Sequence, residues 1–232
     1  MKVLTKIAAG LSLPVAFVAF VGFAHTPPGR PLKKYLGFMA SAAGCPVGGR
    51  EPTPVEMEAQ RLQTTRAMKG EQKAASQVAL SFALRSTTRD EAKAWALSHG
   101  VRCTEQLEGA ALDCQAVPGE AVANALPLGA DSLYLRFDPR GKLVALDAQV
   151  RRPVEAAAGS YTAMASGLVS TLGAPGRVFG DATPQYLASA PYQRGAVEYR
   201  FSNLAVDLSV MSMPGAQGND GLVRAQFRTI DD

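Results

Sequence analysis

Histidine is nearly missing from this chain of 232 residues: only His25 and His99 occur. That scarcity leaves little room for a nucleophile activated by an imidazole. No spacing of histidine, cysteine and carboxylate side chains suits a metal ion. Two glycine-rich loops exist, at Gly173-Ala-Pro-Gly176 and Gly215-Ala-Gln-Gly218. Neither has the strand, the following helix and the lysine that a phosphate cradle requires, so both read as turns. His25 falls in a Pro-rich stretch, and His99, just before Gly100, reads as a helix-end residue favoured by the dipole. No catalytic, cofactor-binding or metal-binding residue is assigned, and no cofactor is expected.

Acidic residues are absent from the first fifty positions, where Lys2, Lys6, Arg30, Lys33, Lys34 and Arg50 stand. Those six are part of 24 basic residues, so the remaining 18 meet all 20 acids and the body carries a net charge of −2. A nucleic-acid module would place its positive charge on the folded body, so nucleic acid is not expected as a partner. Here the basic residues flank residues 7–24, which are apolar throughout. Such a stretch is a secretory signal or a single membrane anchor. Gly22 and Ala24 fit cleavage after Ala24, whereas Arg30, Lys33 and Lys34 favour retention, and both readings stand. The leader implies contact with a membrane and places the body in the bacterial envelope, at the periplasmic side of the inner membrane or free in the periplasm.

Cysteine is also scarce, with three in the chain. If Glu108-Gly109 is a two-residue hairpin turn, Cys103 falls opposite Cys114, Arg102 opposite Gln115, Thr104 opposite Asp113 and Glu105 opposite Leu112. Opposed strand positions lie within disulfide range, so a Cys103–Cys114 bond is expected, which agrees with export. Cys45 is left over. Ser41-Ala-Ala-Gly44-Cys45 is loosely like a lipidation box, and the alternatives are an intermolecular disulfide or an idle linker thiol.

Residues 25–52 read as a linker. Thr53-Pro54-Val55-Glu56 opens a helix expected to reach Lys69, with Gly70 closing it and Val55, Ala59 and Leu62 as a thin apolar stripe at the edge of the core. Val78, Leu80, Phe82 and Leu84 alternate as in a strand with one buried face. Thr88-Arg-Asp-Glu91 opens a second helix with Ala92, Trp95, Ala96 and His99 on one side. Asp138-Pro-Arg-Gly141 suits a type I turn between two strands at the centre of a sheet. Tyr161, Met164, Ala165, Leu168 and Leu172 keep helical spacing up to Gly173. A hairpin turning at Ser202-Asn203 would put Phe201 on Leu204, Tyr199 on Val206 and Val197 on Leu208. The same register sets Glu198 against Asp207, a like-charge pair that must be tolerated or solvated. After the loop at 214–221, a strand around 223–227 closes the chain.

The expected class is α+β: an N-terminal apolar helix, then short helices packed on antiparallel sheet. The organisation is leader 1–24, linker 25–52, a first helix-plus-sheet unit at 53–153 and a second at 154–232, suggesting a degenerate tandem duplication. The helix ending in Leu172-Gly173-Ala174-Pro175, followed by the aromatic strand Tyr199-Arg-Phe201, resembles small bacterial outer-membrane assembly lipoproteins and the wider β-lactamase-inhibitor-protein-like fold. The resemblance implies a small helix-on-sheet domain that works by protein–protein contact, and it transfers no functional residues. The expected function is a non-catalytic envelope protein that binds another protein or an envelope component through a sheet face. Its partner is not named by the sequence. The alternative is an exported hydrolase or small-ligand-binding protein whose site leaves no linear motif. A third reading puts the body in the cytoplasm behind a reversed anchor.

Overall fold

The structure, a computed structural model, describes residues 53–122, 126–215 and 218–231. The apolar leader, the linker before Thr53 and Cys45 lie outside the described residues.

Eight antiparallel strands form one sheet. They are β3 (Arg102–Gln106), β4 (Ala111–Val117), β5 (Ala130–Phe137), β6 (Leu143–Pro153), β7 (Arg177–Gly180), β8 (Arg194–Arg200), β9 (Leu204–Gly215) and β10 (Gly218–Thr229). Their spatial order is β3-β4-β5-β6-β10-β9-β8-β7. Each half is thus a four-strand meander, and the two meet where β6 pairs with β10, Val223 opposite Val150 and Phe227 opposite Leu146. The expected units at 53–153 and 154–232 therefore share one sheet.

Local turn chemistry sets each register. Leu107 and Ala110 flank Glu108 (φ +54) and Gly109 (φ +83), and the Ala110 N–H donates to the Leu107 carbonyl at 3.0 Å. This brings Cys103 opposite Cys114, as the sequence predicts. At Asp138 the side chain accepts from the N–H groups of Arg140 and Lys142 at 2.9 and 2.8 Å, while Gly141 supplies φ +73. The Ser202-Asn203 hairpin has the expected pairs, with Glu198 opposite Asp207.

One face of the sheet is covered by helices. The helix α2 (Arg89–Ser98) starts at a complete capping box of Thr88 and Glu91 and turns Ala92 and Ala96 inward. The long helix α3 (Val154–Leu172) buries Ala157, Tyr161, Met164 and Leu168, then stops at Gly173, whose φ is +84. Leu133, Leu135, Leu146, Leu208, Val223 and Phe227 meet these helices from the sheet. Each such buried side chain contributes roughly 1.5–3 kcal/mol relative to leaving it in water. A short helix, α4 (Pro184–Ser189), and strand β7 were not anticipated from the sequence.

Two expectations need correction. The segment around 78–84 is not one strand: it doubles back between β1 (Val78–Ala79) and β2 (Phe82–Ala83), with Leu80 at φ +55. Val78 is 56% exposed, whereas Phe82 and Leu84 are buried. The first helix, α1 (Pro54–Arg66), has its predicted capping box but ends three residues before Lys69. Its buried positions are Met57, Arg61 and Thr65, not Val55, Ala59 and Leu62. The reason is Arg61. Its guanidinium donates to the Thr229 carbonyl at 2.8 Å and forms ion pairs with Glu58 and Asp231, so a polar face is the one drawn in. Burial lowers the Arg61 pKa, but the bonds to both carboxylates outweigh it and raise it. Gly70 does not close the helix. Its N–H donates to the Phe201 carbonyl, and a Cβ there would sit 2.0 Å from the Arg200 oxygen, so only glycine fits this approach.

Candidate functional site

The second face of the sheet carries no helix over most of its area. The strand pairing places one row of side chains across all eight strands: Thr104, Asp113, Tyr134, Asp147, Gln226, Asp207, Glu198 and Arg177. Residues two positions along each strand fill the neighbouring rows, because side chains alternate between the faces. One end of this open face is crossed by α1: the Met57 carbonyl accepts from Arg136 at 2.7 Å, and Met68 lies against Arg228. Ala111 and Ala205, opposite Arg136 and Arg228 in the pairing, are fully buried. Their small side chains suit the close passage of backbone.

Charge is distributed unevenly. The open rows hold eight arginines, Arg102, Arg136, Arg151, Arg177, Arg194, Arg200, Arg224 and Arg228, and no lysine. Against them stand five acids, Asp113, Asp147, Glu198, Asp207 and Asp220, so the face has a net charge of +3 within a body whose total is −2. The helical side and the rims carry the balancing acids.

The like-charge pair anticipated at Glu198 and Asp207 is resolved by a cation between them. The Nη2 of Arg200 reaches Asp207 at 2.5 Å and Glu198 at 3.1 Å, and Arg228 reaches Asp207 at 2.7 Å. Asp147 takes Nε and Nη2 of Arg224 and also the amide of Gln226. The hydrogen bond to Asp147 raises the Arg224 pKa, locking the charge. Asp113 accepts from the amides of Gln106 and Gln115. Ordered arginine–carboxylate pairs of this kind are rigid and directional.

Above β8, β9 and β10 the face dips into a cleft of about 430 Å³, with Met68, Met211 and Leu222 as its apolar walls and Arg194, Arg224 and Ser209 among its polar ones. Tyr134, in the other half of the face, stands between Asp113 and Asp147; partial burial raises its phenol pKa. Guanidinium, amide, thioether and phenol groups can hold a ligand. Among the described residues the face carries no imidazole or thiol.

Other residues singled out in the sequence are placed elsewhere. The sulfur atoms of Cys103 and Cys114 lie 2.01 Å apart, a disulfide at the β3 edge of the sheet. Glu105 points to the helical side, where the Lys93 ammonium lowers its pKa, while Asp113 lies on the open face. His99 caps the C-terminus of α2, its Nδ1 2.8 Å from the Trp95 carbonyl. Trp95 packs edge-on against Phe82 and donates to the Ala121 carbonyl at 3.1 Å. Among the described residues no group of three or more His, Cys, Asp or Glu could hold a metal ion. No helix among them is long and apolar enough to cross a membrane.

Comparison with known protein families, with curated proteins and with solved structures finds no match. The geometry of the open face therefore has to carry the functional reading. Sequence reasoning missed the cleft because its walls come from three strands and the segment after α1. A signal did exist: arginines separated by an even number of positions fall on one face of a strand, as in Arg224-Ala-Gln-Phe-Arg228, without any lysine.

Proposed function

We propose that this chain is a non-catalytic bacterial envelope protein whose body binds another protein through the open face of the sheet. The observation that carries the reading is the makeup of that face. Arginine, tyrosine and methionine are enriched at protein interfaces and lysine is depleted, and this face has eight arginines, Tyr134, Met211 and Met213 with no lysine. Seven strand spacings of about 4.8 Å make the sheet roughly 34 Å wide, room for the ~800 Å² that each side of a stable interface buries. Residues 7–24 supply the route out of the cytoplasm, as a cleaved signal or a retained anchor. The Cys103–Cys114 disulfide suits an oxidising compartment.

The mirror-like strand order supports a tandem duplication in which α2 with β3–β6 corresponds to α3 with β7–β10. The likeness to outer-membrane assembly lipoproteins and the β-lactamase-inhibitor-protein-like fold implies a small helix-on-sheet domain that works by protein–protein contact, in line with this reading.

The test is site-directed photo-crosslinking in living cells that make the full chain. A photoreactive side chain at Tyr134, on the open face, is expected to capture a discrete protein. One at Val169, exposed on the outer side of α3, is expected not to. Equal capture from both positions, or none from Tyr134, contradicts the proposal.

A further inference from the structure

Resting on the reading of the open face as a protein-binding surface, we infer that its partner presents an acidic loop, with an aspartate or glutamate beside an apolar side chain, and that the carboxylate enters the cleft to meet Arg194.

Most guanidinium groups that line the cleft are already engaged. Arg200 spends its guanidinium on Glu198, Asp207 and the carbonyls of Tyr199 and Val206. Arg228 spends its own on Asp207, Gln226 and Met68. Arg224 uses Nε and Nη2 for Asp147, which leaves Nη1 unengaged. The Arg194 side chain is exposed and makes no hydrogen bond or ion pair among the described residues. A carboxylate entering the cleft therefore finds a whole guanidinium fork in Arg194, the unused Nη1 of Arg224 and the hydroxyl of Ser209, all lining the same space. Met68, Met211 and Leu222 beside them match an apolar neighbour on the incoming loop. Every acid of the face is engaged by an arginine or by glutamine amides, so the surplus of the surface is positive.

The same charge decides among occupants. The chain's own first fifty residues contain six basic residues and no acid, so their charge does not complement this face. Face-to-face pairing of two copies opposes one +3 surface to another. A membrane surface attracts flexible basic segments that need no fixed geometry, whereas Arg200, Arg224 and Arg228 around the cleft are oriented by carboxylates within the sheet. An acidic protein loop satisfies the charge, the fork geometry and the apolar walls together.

The test pans a random twelve-residue peptide library on phage against the immobilised full chain, kept in mild detergent. Enriched peptides are expected to pair an aspartate or glutamate with leucine, methionine or an aromatic residue. Synthesised, they should bind Arg194→Glu about tenfold more weakly than the unaltered chain. Arg140→Glu, exposed in the distant β5–β6 turn, should bind within about twofold of it. Enrichment without acidic bias, or unchanged binding to Arg194→Glu, overturns the inference. So does binding to phosphatidylglycerol vesicles, or formation of a dimer in light scattering, if either is abolished by Arg194→Glu. The two proposals fail separately. A Tyr134 crosslink that survives Arg194→Glu overturns the acidic loop and keeps the binding face, whereas no crosslink at all removes both.

Discussion

Reduction of the Cys103–Cys114 disulfide should weaken the fold by a calculable amount. The bond closes a loop with a sequence separation of 11 and lies in a hairpin that already has five registered pairs. Few native contacts are at stake, so the change falls on the unfolded chain, which regains the entropy of an open loop. For a loop of this length that is about 3 kcal/mol. A body of this size shifts its melting temperature by roughly 2–4 °C per kcal/mol, so the reduced protein should melt about 6–12 °C below the oxidised one. Comparing oxidised and reduced forms of one sequence avoids the cavity that Cys114→Ala would open, since Cys114 is fully buried. The assay is a circular-dichroism melt with and without a phosphine reductant, with mass spectrometry of alkylated peptides to establish the state of both cysteines. Equal melting temperatures with both thiols alkylated would show that the bond adds nothing, and a fall well beyond 12 °C would show that it holds native contacts together.

Three further outcomes follow from groups buried elsewhere. The Tyr199 hydroxyl is buried without a hydrogen-bond partner among the described residues, so Tyr199→Phe should stabilise the protein by about 1 kcal/mol in urea titrations. Burial raises the pKa of Tyr199 and of Tyr161, which favours the neutral phenol in the fold. Their contribution is thus intact below the free-phenol value near 10 and is lost as pH rises through and beyond it. Tyr199→Phe should flatten that alkaline loss, and a stability profile above pH 10 with the same slope as the parent's would contradict the assignment. Arg61→Met should destabilise by about 3 kcal/mol, because Glu58, Asp231 and the Thr229 carbonyl lose a shared partner that is itself 5% exposed. A chemical-denaturation midpoint equal to that of the parent would place α1 off the sheet.

What the sequence made legible was local. Glu108-Gly109, Asp138-Pro-Arg-Gly141 and Ser202-Asn203 each fix a register within a few residues of themselves, so three hairpins, the cysteine pair and the Glu198–Asp207 opposition could be read in advance. Capping boxes at Thr53 and Thr88 located two helix starts for the same reason. The join of β6 to β10 was not legible, since it links strands some seventy residues apart through apolar pairs that many registers would satisfy. Nor was the buried side of α1. Arg61 reads as a solvated residue until Asp231, at the other end of the chain, is brought beside it. Strand β7 and helix α4 are too short to show a period. The cleft shares that fate: Arg194, Arg224 and Met211 become neighbours only once three strands are laid side by side.

The claim that the open face is covered by a partner is tested most directly by hydroxyl-radical footprinting of the full chain, inside the cells that make it and after purification. Tyr134 and Met211 should react about threefold more slowly in cells, while Tyr192, 64% exposed just before β8, should react equally in both. Equal rates at all three positions would mean that the face stands bare where the protein works.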